Sequence, residues 1–257
     1  LIPMAKKANV PVVIHLDHGL NKETCIKALE LGFTSVMYDC STDSYEKNVN
    51  KVREMAEIAH SYGATIEGEL GHVGDNEGSA EGTSKLGDPS QFYTEPQMAK
   101  DFVEKTGVDA LAIAVGTAHG AYKMPPKLDF QRIREISETV KVPLVLHGGS
   151  GLTDMDFRRA IQEGISKVNI FTDINVAAVE AEFRKFQYMN KGIIDLIPAA
   201  VEAVKQETEK KMELFSSVGK ARMTLKEQVN MTKMDMGGND ISRIVEMVIK
   251  EVHKYIK

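Results

Sequence analysis

A chain of 257 residues with a formal charge of −5, 42% hydrophobic residues and two cysteines is long enough to bury one large core as a single domain. Acidic and basic residues are interspersed, which leaves no polybasic stripe for nucleic acid or an anionic membrane, and Cys25 and Cys40 lack the spacing of a disulfide scaffold or a Cys-x-x-Cys redox pair. No apolar stretch reaches membrane-spanning length and the opening Leu-Ile-Pro-Met-Ala-Lys-Lys lacks the order of a secretion signal, so the sequence predicts a cytoplasmic protein with neither nucleic acid nor membrane as partner.

Residues 1–8 read as the tail of a helix. From residue 11 onward, short β-rich runs alternate with stretches of 3.6-residue periodicity, the pattern of a parallel sheet with crossover helices. Strands are expected at 12–16, 35–39, 65–70, 110–115, 144–147 and 167–170. Helices are expected at 22–31, 45–61, 95–106, 130–138, 154–163 and 173–186, several of them stopped by Gly32, Gly63, Gly107 or Gly164. These six units predict an α/β fold, a (β/α)8 TIM barrel whose first two strand-helix units precede Leu1, because six strands do not close such a barrel and would leave open edges. An open doubly wound sheet is the competing architecture. A long amphipathic helix at 195–215 would pack across the barrel or against a partner. The domain reading is a barrel over 1–221 and a helical extension over 222–257, whose last segment carries an apolar stripe.

Three histidines, His18, His119 and His147, each follow an apolar run that reads as a barrel strand. Catalytic zinc commonly takes three protein ligands and keeps a fourth position open, and barrel active sites gather at the C-terminal strand ends. The cluster therefore points to metal-assisted chemistry on an oxygen-rich substrate. Alternate residues of a strand face opposite sides, so Asp17 and His18 converge only if the strand ends between them, a turn that Gly19 permits. On that reading Asp17 is an acid/base and His18 a ligand; the alternative is a buried His–Asp pair without metal. His15, deeper in the strand, is expected to be a satisfied interior residue. Asp39 and Glu69 would hold a second divalent metal position while Glu67, two residues from Glu69 and on the same face, buttresses a ligand histidine. A structural ion-pair network with lysines competes with this assignment.

The segment 71–88 has five glycines in eighteen residues and reads as a lid that carries Glu77 as a movable acid or base, or else as an ordinary surface loop. Two further loops, His-Gly-Gly-Ser-Gly (147–151) and Asn-Ile-Phe-Thr-Asp (169–173), follow the last two expected strands, where barrel enzymes often build a phosphate site. Gly148, Gly149 and Gly151 would let backbone N–H groups approach an anion. Ser150 and Thr172 offer hydroxyls and Asn169 an amide for a substrate hydroxyl. Tight turns alone would also explain the glycines. No Walker or dinucleotide spacing is present, which favours a small phosphorylated metabolite.

Five segments in order, Val-Ile-His-Leu-Asp-His-Gly (13–19), Ile-Glu-Gly-Glu-Leu-Gly (66–71), Gly-Thr-Ala-His-Gly (116–120), Leu-His-Gly-Gly-Ser-Gly (146–151) and Lys-Val-Asn-Ile-Phe-Thr (167–172), together resemble the class II, zinc-dependent ketose-bisphosphate aldolases over roughly residues 1–221. The resemblance implies reversible cleavage of fructose 1,6-bisphosphate to dihydroxyacetone phosphate and glyceraldehyde 3-phosphate by zinc-stabilised enediolate chemistry. It makes His18, His119 and His147 the Zn2+ ligands, Asp17 the acid/base at the C4 hydroxyl, Asp39 and Glu69 an alternative metal site and Glu77 the lid glutamate. Gly148, Gly151, Asn169 and Thr172 would surround the dihydroxyacetone phosphate half, with a monovalent cation (Na+ or K+) on nearby loop carbonyls. A homodimer or homotetramer is expected. Cys40-Ser41-Thr42 replaces the usual Gly-Ser-His, which leaves tagatose 1,6-bisphosphate, or epimerase chemistry on a ketose phosphate, as alternative activities. A metabolite-binding descendant is the non-enzymatic alternative.

Overall fold

The computed structural model describes residues 1–71, 74–75, 93–119, 126–188 and 192–222; of 74–75, 118–119, 188 and 222 only the backbone is described. Its contacts separate two compact units, Leu1–Phe215 and Ser216–Lys257. The second unit is described only over 216–222 and holds a 3-10 turn at Lys220–Arg222; the expected helical pattern beyond it lies outside the described residues.

In the first unit a short helix α1 (Ile2–Lys7) precedes alternating strands and helices: β1 (His15–Gly19), α2 (Lys22–Glu30), β2 (Ser35–Tyr38), α3 (Tyr45–Ser61), β3 (Thr65–Leu70), β4 (Gly74–Asp75), α4 (Pro96–Thr106), β5 (Ala110–Ile113), β6 (Ala118–His119), α5 (Phe130–Thr139), β7 (Leu144–Leu146), α6 (Asp154–Gln162), β8 (Ile165–Val168), α7 (Thr172–Tyr188) and α8 (Ile193–Leu214). Helix starts are fixed by local chemistry. Asn21 accepts from Thr24 N at the head of α2, Asp129 accepts from Arg132 N at α5, and Thr153 and Asp156 form a reciprocal capping box on α6. Helix α3 buries Val49, Val52, Met55, Ala56 and Ala59 along one stripe, the helical period read in the sequence. No helix among the described residues is long and apolar enough to cross a membrane.

Six parallel strands form one sheet in the order β1-β2-β3-β5-β7-β8. Each new strand of this sheet is added on the same side of the last, with none of the reversal that defines a doubly wound sheet. That order is the winding of a TIM barrel. The sheet is curled as well: β1 and β8 are its two edges, yet Asn169 Nδ2, one residue past β8, donates to Asp17 Oδ1 on β1 at 3.0 Å. Strands β2, β5 and β7 are buried almost throughout, as expected for parallel strands covered on both faces. The fold is thus a curled six-stranded part of a barrel, with α7 and α8 following its last strand.

Three details differ from the expected pattern. The first strand begins at His15 and runs through Asp17 and His18 to Gly19. Val12 and Val13, expected in the strand, are exposed, while the Ile14 carbonyl accepts irregularly from both Thr34 N and Ser35 N. The last strand is Ile165–Val168, with a register irregularity that sets Val145 opposite Lys167. Finally, β5 ends at Ile113, and His119 belongs to a separate two-stranded parallel sheet in which β6 pairs with β4. Gly116, at φ 106°, turns the chain between the two in a conformation that suits glycine alone.

Candidate active site

The site is built where β1, β2, β3, β7 and β8 end. Between β1 and β2 the pairing runs Leu16 to Val36 and then Gly19 to Tyr38, so three steps on β1 oppose two on β2. This is a bulge, and His18 sits in it at φ 49°, a left-handed conformation uncommon for a side-chain-bearing residue. The bulge turns Asp17 and His18 toward one site without ending the strand, which corrects the expectation that the strand stops between them. Gly19 also has another role than the turn: its φ is ordinary, but a Cβ there would lie 2.5 Å from Cys25 Sγ and 2.6 Å from the Met37 carbonyl oxygen. Its value is the space it leaves. Cys25 and Cys40 are buried thiols whose pKa burial pushes up to about 11 in each case, so neither is available as a thiolate ligand or nucleophile near neutral pH.

Two imidazoles face one another at the centre. His18 Nε2 lies 2.9 Å from His147 Nδ1, with the rings edge to face at 4.8 Å between centroids. The outer nitrogens are each taken by a carboxylate. His18 Nδ1 is 2.8 Å from Asp39 Oδ2, and His147 Nε2 is 2.7 Å from Glu67 Oε1. The carboxylates are themselves held: Asp39 Oδ1 accepts from Ser41 N at 3.0 Å and Ser41 Oγ at 2.8 Å, while Glu67 Oε2 accepts from Lys167 Nζ at 2.8 Å. Burial works against both charges, but the His18 and Ser41 hydrogen bonds hold Asp39 well below the usual carboxylate range. For Glu67, burial is likewise outweighed by the His147 hydrogen bond and the Lys167 charge, which bring its pKa to about 2. Burial disfavours the His18 imidazolium, yet the Asp39 hydrogen bond and the Asp17 charge prevail and raise its pKa.

This network tests whether the residues suit a metal. An ionised carboxylate only accepts hydrogen bonds, so Asp39 and Glu67 fix the N–H on the outer nitrogen of each ring. With both rings neutral, the facing nitrogens present only lone pairs to each other across 2.9 Å, and a proton or a metal ion has to lie between them. Carboxylate-oriented histidines with inward lone pairs are the usual form of a metal site. Ligand atoms of Asp17, His18 and His147 lie within 4.8 Å of one another, as do those of His18, Asp39 and Glu69. The donor set fits a divalent cation.

The expected site residues fall into three groups. Asp17, His18, Asp39, Glu67, Glu69, His147 and Asn169 converge: Asp17 Oδ1 is 3.8 Å from His18 Nε2, and Asn169 Nδ2 is also 3.2 Å from His147 Nε2. The loop after β7 lies beside them, with Gly148 at φ 65° and Gly151 at φ 88°. Gly149 has no room for a side chain, since a Cβ would lie 2.9 Å from Val168 Cγ1. Ser150 Oγ accepts from Asp173 N at 3.3 Å, which ties this loop to the first turn of α7, and Thr172 opens that helix. The side chain of His119 and all of Glu77 lie outside the described residues.

Two contributors were missed in the sequence. Lys167, given no role of its own in the sequence, stands two residues before Asn169, and period-2 alternation gives the pair one face. His15 was expected to be satisfied; its Nδ1 meets Ser35 Oγ at 2.8 Å, but its buried Nε2 makes no hydrogen bond among the described residues and lies 3.8 Å from Glu67 Oε2.

Residues 1–220 match the family model described as fructose-bisphosphate aldolase class-II. The chain belongs to that family. It is 38% identical over 221 residues to the uncharacterised protein YdjI of Escherichia coli K12, covering 86% of this chain and 77% of that one. The crystal structure of the YdjI aldolase superposes with a TM-score of 0.75 at 37% identity, over 86% of this chain and 75% of the other. The fructose-bisphosphate aldolase of Staphylococcus aureus strain Mu50 is 38% identical over 216 residues, 83% of this chain and 73% of that enzyme. Family membership makes the chain a class II aldolase type of enzyme acting on a phosphorylated sugar, and the carboxylate-held histidines occupy the expected strand ends.

Proposed function

We propose that this chain is a zinc-dependent aldolase that cleaves fructose 1,6-bisphosphate reversibly to dihydroxyacetone phosphate and glyceraldehyde 3-phosphate. The observation that carries the proposal is the pair of inward imidazole nitrogens, His18 Nε2 and His147 Nδ1, held by Asp39 and Glu67 with the Asp17 carboxylate beside them. His18 and His147, with His119 as third ligand, would hold Zn2+, and Asp39 and Glu69 would serve a second divalent position. When bound, the ion supplies Lewis-acid polarisation of the substrate carbonyl.

The chain's own groups do the rest. Asp17 is half-exposed and its Oδ1 is anchored by Asn169, so the carboxylate is fixed in place yet open to a substrate hydroxyl. It takes the C4 hydroxyl proton as the C3–C4 bond breaks and returns it in the condensation direction. Glu77, on the expected lid, would deliver a proton to the three-carbon fragment. Gly148, Gly149, Ser150, Gly151, Asn169 and Thr172 would bind the phosphate end of that fragment, supported by the left-handed backbone at Gly148 and Gly151 and by the nearby start of α7. A Na+ or K+ ion on the loop carbonyls would add positive charge. Solvent-exposed Val179, Phe183, Phe186, Ile194 and Val201 on α7 and α8 support a homodimer or homotetramer, since grouped apolar exposure marks interaction surfaces.

The test is aldol cleavage by the purified chain, assayed with fructose and tagatose 1,6-bisphosphates in parallel. Chelator should abolish cleavage and Zn2+ restore it, while borohydride added with substrate should leave the enzyme active. A higher kcat/KM for tagatose bisphosphate would move the substrate assignment; chelator-resistant, borohydride-sensitive cleavage would refute the metal mechanism. No cleavage of either sugar would favour an epimerase or a binding protein.

A further inference from the structure

Glu67 is 2% exposed and its oxygens are divided between two donors, His147 on Oε1 and Lys167 on Oε2. His15 Nε2 lies 3.8 Å from Oε2, a buried nitrogen that makes no hydrogen bond of its own among the described residues. The carboxylate spans His147 and Lys167; without Lys167 its Oε2 would be left to turn toward His15. The ammonium holds the carboxylate in place, because an opposite charge 2.8 Å away in a buried site attracts it as no neutral imidazole does.

The backbone is arranged to bring that ammonium in. The irregularity between β7 and β8 passes over Ser166 and pairs Lys167 with Val145, so Lys167 shares the inner face with Asn169 and reaches across the curled sheet to β3. Asp39 shows the same device in a different form: one oxygen serves His18 and the other is pinned by the Ser41 N–H and hydroxyl. Glu67 lies in the middle of β3, where neighbouring N–H groups belong to the ladder, and a long side chain from another strand takes the place of a local turn.

We infer that Lys167 is a positioning residue of the metal centre: by holding Glu67 Oε2 it keeps Oε1 on His147 Nε2 and so keeps His147 Nδ1 turned toward His18. This deepens the proposed function and rests on His147 being a metal ligand there. Groups that orient a ligand histidine commonly contribute 10- to 100-fold, in round numbers, to metal affinity.

The experiment compares the full chain with Lys167→Met, Lys167→Gln and Lys167→Arg by competition for Zn2+ with a chromogenic chelator, alongside far-UV circular dichroism and 15N–1H correlation of the histidine rings in metal-free protein. The expected result is a loss of Zn2+ affinity of about 10- to 100-fold in Lys167→Met, a loss also in Lys167→Gln, and recovery to within a few-fold in Lys167→Arg. The His147 Nε2–H signal should weaken in the metal-free Met variant. Wild-type affinity in either folded neutral variant would overturn the inference, and so would failure of Arg to recover what a folded Met or Gln variant loses. If the Met variant does not fold, the Gln variant decides. If the unsubstituted chain binds no Zn2+, the functional reading fails instead, and the His147 ring signal alone then decides whether Lys167 sets its orientation.

Discussion

Gly19→Ala puts the reading of β1 at most risk, because its cost comes from space and not from backbone angle. The added methyl would meet Cys25 Sγ at 2.5 Å, the Met37 carbonyl oxygen at 2.6 Å and Leu16 Cδ2 at 3.0 Å, where ordinary carbon contacts sit at about 3.5 Å or more. Leu16 can rotate away. Met37 O cannot, because it is backbone of β2 and the neighbouring Asp39 N donates to Gly19 O at 3.1 Å. The two strands must therefore separate by several tenths of an ångström or α2 must shift, an overpacking that typically costs about 1–3 kcal/mol. For a unit of this size that is roughly 2–12 °C in melting temperature. His18 precedes Gly19 directly, so the same displacement should weaken Zn2+ binding. The assay is thermal and urea unfolding of metal-free protein plus Zn2+ competition. Gly192→Ala is the control, since it has ordinary φ and nothing within 4 Å of the added carbon. A Gly19→Ala melting temperature equal to that of Gly192→Ala, with Zn2+ affinity unchanged, would refute the reasoning.

Asp17→Ala should keep fold and Zn2+ but lose turnover by about 100-fold or more; single-turnover cleavage beside metal titration checks this, and metal loss with near-normal turnover would show that ligand and base have been exchanged. Glu67 gives a pH signature. Its carboxylate is held at about 2 against an ordinary 4.5, a depressed acid whose contribution is full above pH 4.5 and fades as pH falls toward 2. The span corresponds to about 3 kcal/mol. Urea unfolding of metal-free wild type and Glu67→Gln at pH 6 and pH 3 should show a stability gap that narrows in acid, and a constant gap would contradict it.

The order of elements was legible because it is local. Helix and strand periods, glycine stops and caps are written within a few residues of where they act, and four of the six main strands, β2, β3, β5 and β7, lie within their expected bounds. His147 directly after β7, and Glu67 with Glu69 on one face of β3, followed from the same alternation. What the sequence left undecided was every relation that depends on the curl of the sheet. The bulge at His18 is a mismatch between two strands, visible only when Leu16 and Gly19 are set against Val36 and Tyr38. The meeting of Asp17 with Asn169 joins the two edges of the sheet across 152 positions of chain. The role of Asp39 as the partner of His18, and of Lys167 as the hold on Glu67, arises in the same way. Residue type and spacing determined which groups can ionise, ligate or turn. The tertiary structure decided which of them share a hydrogen bond, because a buried carboxylate takes its partners from whichever strands the winding brings within 3 Å, and that distance is set by packing far from the residue itself.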